Sequence, residues 1–170
     1  MAVAQNTTRE SKVNTAKASG RRSVRYNSID DLLADAERLA KSPHRTIGNW
    51  SLGMILKHIS DAYKMGLDGA AFMAPWPLRW YLRTFMKQRF LQGPMPAGFK
   101  LPKRAASLLP SETSPADGLA ALQKVTSRWK SESQRAIHPA LGNLTPAEWD
   151  QLELRHAELH MSFVLPESSG

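Results

Sequence analysis

Apolar residues recur along this chain at helical spacing, and no segment alternates convincingly with period two, so the pattern predicts an all-α fold. A first helix is expected from about Ile29 to Lys41, with Leu32, Leu33, Ala36, Leu39 and Ala40 as its stripe. Ser28 and Asp31 form a capping-box-like start, and Ser42-Pro43 a stop. The segment Pro43–Gly48 reads as a turn containing His44. A second helix, roughly Ser51 to Phe72, carries Ile55, His58, Ile59, Ala62, Tyr63 and Gly66 on one face. After Pro75-Trp-Pro77 a third helical segment, about Leu78 to Leu91, mixes Trp80, Tyr81, Leu82, Phe85, Met86 and Phe90 with Arg79, Arg83, Lys87 and Arg89. Its spacing suits a helix that packs its aromatics and solvates its cations.

Residues 93–115 contain Pro94, Pro96, Pro102, Pro110 and Pro115 with two glycines, so regular structure is not expected there. A connection this long in a compact domain usually crosses over or covers something. It is read as a Pro-rich crossover anchored by Phe99 and Leu101, placed to act as a lid. Ser114-Pro-Ala-Asp117 then starts a helix that should reach about Ile137, burying Leu119, Leu122, Val125 or Thr126, Trp129 and Ala136. Thr145-Pro-Ala-Glu148 repeats that start signal, and the last helix should run to about Phe163. Its stripe is Trp149, Leu152, His156, Leu159, His160 and Phe163. Amphipathic helices joined by one long connection describe a four-helix bundle with an additional helical segment.

Composition changes this picture only at the edges. At 170 residues and 42% apolar, the chain suits one domain of about residues 26–166. Six basic side chains against Glu10 put +5 of the net charge of +8 into residues 1–25. That stretch, poor in apolar residues, is expected to be a disordered basic tail, and residues 167–170 a short C-terminal tail. Arg21-Arg22 lacks the apolar run an export signal requires, and no run is long enough to span a membrane, so a cytoplasmic location is expected. A nucleic-acid partner is not expected, because no recognised nucleic-acid motif accompanies the charge. The absence of cysteine excludes disulfides, thiolate metal sites and a thiol nucleophile from the chain itself.

The candidate chemistry lies in the histidines. His156 and His160 are four residues apart, so their imidazoles share one helix face and can converge on one ion. His58 falls on the apolar face of another helix, and three neutral ligands leave coordination positions open, as in catalytic sites. The alternative for each is a buried, hydrogen-bonded core histidine. His44 and His138 lie beside prolines in connections and read as turn or surface residues. Glu153-Leu-Arg-His156 has the Glu-x-x-His form of di-iron carboxylate bundles, but no second such motif accompanies it. Asp61 and Glu153, each three residues from a histidine, are the candidate catalytic carboxylates, as general base or orienting partner, against the plainer reading of solvated charges.

Taken in order, Gly48-Asn-Trp-Ser-Leu-Gly53, Ile55-Leu-Lys-His58, Gly98-Phe-Lys-Leu-Pro102, His138-Pro139, Gly142-Asn-Leu-Thr145, Glu148-Trp149 and His156-Ala-Glu-Leu-His160-Met-Ser-Phe163 resemble a bacterial family. It is a domain of unknown function within the DinB/YfiT-like superfamily of metalloenzymes, and the resemblance covers about residues 24–166. It implies a DinB-like four-helix bundle binding a divalent metal, zinc or nickel. The ligands it implies are His58, His156 and His160. The activity implied is that of a hydrolase or a thiol-dependent transferase. Its partner would be a small-molecule substrate, with a low-molecular-weight thiol among the candidates, and a homodimer is compatible with it. A different class of function is a non-catalytic, metal-stabilised helical binding module, with Trp76, Trp80 and Phe85 lining a pocket or an interface.

Overall fold

The computed structural model describes residues 13–98 and 109–167 and is an all-α bundle with one small sheet. The expected anchors Phe99 and Leu101 lie outside the described residues. Helix α1 spans Ile29–Lys41, with Ser28 accepting from the Asp31 amide at 3.1 Å, and buries Leu32, Ala36 and Leu39. Strand β1, His44–Thr46, follows, and then α2, Leu52–Asp68, capped by Ser51. Helix α2 stops four residues earlier than its pattern predicts, because Gly69, whose amide still bonds Met65 O at 2.9 Å, turns the chain out of the helix at φ +90°, a positive value that favours glycine.

An irregular helical stretch comes next: α3 over Trp76–Tyr81, a π-helical turn over Leu82–Met86, and α4 over Lys87–Gln92. Here the packing departs from expectation. Trp76, Trp80 and Phe85 are 77%, 59% and 60% exposed, and only Leu82, Phe90 and Leu91 reach the core. Spacing reveals which side chains share a face, not whether another element covers that face.

Helix α5, Pro115–Ser131, and α6, Pro146–Met161, begin at the predicted caps. Both reciprocal bonds of the Thr145–Glu148 capping box form, and Lys87 on α4 pairs with Glu148 at 2.6 Å. Helix α5 ends short of Ile137 because residues 132–137 turn back over the core, where the Ala136 amide bonds Gly66 O at 2.8 Å and Arg135 lies over the Trp129 ring.

Helix α2 lies against α5 closely enough to require glycine on both. A Cβ on Gly118 would stand 2.6 Å from Gly53 O. Toward the other ends of these helices Trp129 meets Tyr63 and Trp149 edge to face. Strand β2, Val164–Pro166, pairs antiparallel with β1, Arg45 opposite Leu165, closing the chain's far end onto the connection that had read as a turn. Three-residue strands are too short to show alternation. Two partners distant in sequence make this one.

The end of the basic N-terminal stretch packs on the bundle rather than trailing from it. Arg22 forms an ion pair with Asp35 on α1 and donates to Val164 O at 2.9 Å, while the Tyr26 amide donates to Glu158 Oε1 at 2.6 Å. Buried Arg155 bonds Tyr26 O at 2.6 Å and pairs with Glu158 at 2.7 Å. Residues 22–26 thus cover one polar side of α6, which is why that helix buries Arg155 and Glu158 along with its apolar stripe.

Candidate metal centre

The three predicted ligands meet. His58 comes from the buried face of α2, and His156 and His160 from one face of α6, a turn apart. His156 Nε2 lies 3.2 Å from His58 Nε2 and 3.0 Å from His160 Nε2, and one ring nitrogen from each residue falls within 4.8 Å of the others. Two ligands at about 2.0–2.1 Å from a tetrahedral ion stand roughly 3.4 Å apart, close to these spacings. Among the described residues this is the only cluster of three or more such side chains able to hold an ion.

The protons argue for the same occupant. An imidazole nitrogen presents either one N–H or one in-plane lone pair. His156 Nε2 therefore has a single proton or a single lone pair to share between its two close neighbours, which leaves both contacts under-satisfied. Charging a ring would relieve this, but burial, with His156 and His58 alongside, holds His160 well below the ordinary histidine range. A cation shared by the three lone pairs fits all of them.

Glu153 stands behind the ring of His156. Its Oε2 is 3.6 Å from His156 Nδ1, is buried, and has no hydrogen-bond partner among the described residues. A carboxylate there favours the Nδ1–H tautomer and leaves the Nε2 lone pair facing the other two histidines. Tyr63 lies deeper. Burial, with Glu153 and Asp150 nearby, pushes its hydroxyl well up. Asp61 goes elsewhere: it pairs with Lys57 one turn back and borders a shallow surface depression instead of the histidines. Three residues along a helix is a 60° displacement, enough to move a side chain from the inner face to the rim. His44 is also remote, its Nδ1 2.9 Å from Ser42 O.

The cluster forms part of the wall of an apolar cavity of about 440 Å³, within the usual range for small-molecule sites. Ile55, Leu82, Phe90, Met95, Leu152 and Phe163 supply much of the wall, and Met95–Gly98 bring the start of the Pro-rich connection to it. Two further lining residues had no predicted role. Trp50 stacks on His160 at 5.2 Å and leans on His58 at 4.9 Å. His138, which reads in sequence as a turn histidine, faces the cavity with its ring against Trp149 at 5.2 Å. Both sit just outside helices, where periodicity carries no signal.

No helix among the described residues is long and apolar enough to cross a membrane. One family model, described as "Protein of unknown function (DUF1569)", matches residues 18–167. No curated protein and no solved structure matches.

Proposed function

The chain belongs to this family of proteins of unknown function, so its chemistry must be read from its own residues, and we propose that it is a metal-dependent enzyme of DinB-like type. In this reading His58, His156 and His160 hold a divalent ion, zinc or nickel, and the reaction is a hydrolysis or a thiol-dependent transfer. The observation that carries it is the convergence of three Nε2 atoms at the wall of an apolar cavity. One ligand from α2 and a His-x-x-x-His pair from the last helix is also the ligand order that the DinB/YfiT-like resemblance implies.

When bound, a divalent ion with three histidine ligands lowers the pKa of water or a thiol and polarises a substrate oxygen. The protein supplies the rest. Glu153 orients His156, Trp50 fixes the ring of His160, and the apolar wall limits bulk water. With no cysteine in the chain, any thiol must enter as a cosubstrate.

Elemental analysis of protein purified without an affinity tag tests this directly. One equivalent of divalent metal is expected in the wild type, and less than about a tenth in His58→Ala and His160→Ala. A wild type that stays metal-free after reconstitution overturns the proposal.

The exposed Trp76, Trp80 and Phe85 favour a second reading, a metal-stabilised binding module that uses this ridge as an interface, including with a second copy of the chain. It gains if the histidine variants lose only thermal stability and no ester or thiol substrate turns over.

A further inference from the structure

His138 is held by an unusually complete set of bonds for a turn residue. Its amide and carbonyl pair with Gly142 at 2.9 and 3.0 Å, closing residues 138–142 into a tight loop. Within that loop the Ala140 and Leu141 amides both donate to His138 Nδ1, at 3.1 and 2.9 Å. Those two donors decide the chemistry of the ring. Nδ1 has to be the bare, accepting nitrogen, so the proton of the neutral imidazole sits on Nε2. Burial, and then the nearby His156, lower the proton affinity of His138 to a pKa of about 4, so the ring stays neutral at ordinary pH.

The Nε2–H makes no hydrogen bond with any described residue, although the ring lines the apolar cavity. A donor turned toward apolar surroundings costs free energy unless something accepts from it. Two of the other polar side chains around the cavity are directed elsewhere. Asn49 is engaged through both its amide atoms with the backbone of Val13, and Glu153 stands behind His156.

We propose that His138 is a substrate-positioning residue whose fixed Nε2–H binds an acceptor oxygen of the substrate, and that the substrate is a largely apolar molecule bearing one carbonyl or carboxylate group. This rests on reading the cavity as the substrate site of the metal centre. The cavity walls take the apolar body, and His138 sets the orientation of the oxygenated end. The ring acts as a neutral donor and transfers no proton.

The test separates this role from that of a turn cap. In His138→Asn, Oδ1 replaces Nδ1 as acceptor for the Ala140 and Leu141 amides, while nothing replaces the Nε2–H. Calorimetric titration of the metal-loaded protein with octanoate and with 2-octanone should show at least one of them binding to the wild type. Its Kd should weaken about tenfold or more in the variant, with metal content and melting temperature close to wild type. Octanoate alone responding identifies a carboxylate, 2-octanone a carbonyl. Equal affinities in the two proteins, or binding of neither compound, overturn the proposal. Imidazole nitrogen-15 shifts of wild-type His138 provide a readout independent of metal and of the variant's folding. Nε2 should be the protonated nitrogen, and the opposite tautomer overturns the assignment. Loss of the metal reading would show in elemental analysis, leaving the tautomer result unaffected.

Discussion

Glu153 is a carboxylate on the buried side of α6, and its role is set by the nitrogen it faces. Removing its charge while keeping its shape, in Glu153→Gln, should lower metal affinity about tenfold, at the low end of what such orienting partners contribute. Competition against a chelating dye measures this, and an unchanged affinity would reduce Glu153 to a buried charge. His138 and His160 also make a pH prediction. His138 titrates near 4 in the fold against 6.5 when free. Between those values the unfolded chain takes up a proton that the folded protein refuses. Stability is therefore full above about pH 6.5 and falls as pH drops toward 4, by up to about 1.4 kcal/mol per unit for one such group. Urea midpoints between pH 7 and 4.5 should follow this slope in metal-free protein. His138→Asn should flatten it without abolishing it, because His160 shifts in the same direction.

Among the elements, α2 and α6 decide whether a site exists, and their placement depends on close packing. The approach of α2 to α5 leaves no room for a methyl group on Gly118, since the atom it meets is the Gly53 backbone oxygen, which cannot rotate away. Gly118→Ala should cost about 1–3 kcal/mol despite alanine's better helix propensity, and thermal denaturation will show it. The helix starts were readable from sequence because Ser28, Ser114 and Thr145 act locally, each on the amide three residues on. The end of α1 was equally readable from Ser42-Pro43, but the ends of α2 and α5 and the π-turn at Leu82–Met86 were not, because they answer to contacts made elsewhere in the fold. The aromatic segment shows this most sharply: its helical spacing was correct, but no element among the described residues covers Trp76, Trp80 or Phe85.

Across the whole molecule, the basic stretch that composition assigns to a tail ends as a strap joining α1, α6 and β2. Burial alone would raise Asp35, but hydrogen bonds from Arg22, Tyr26 and Arg38 outweigh it and hold the carboxyl below its ordinary range. Arg22→Ala should therefore destabilise the fold by about 2 kcal/mol at neutral pH, seen in chemical denaturation, and a change within error would make residues 22–26 dispensable. The sequence by itself determined the helical class, the helix starts and the three histidines on apolar faces. Periodicity and capping are properties of neighbours within four residues, so they survive in one dimension. Only the tertiary structure decided that those histidines share a centre, that Asp61 stays outside it, and that Trp50 and His138 join its cavity. Each of these depends on how one helix or loop lies against another, and side-chain spacing along the chain carries no record of that.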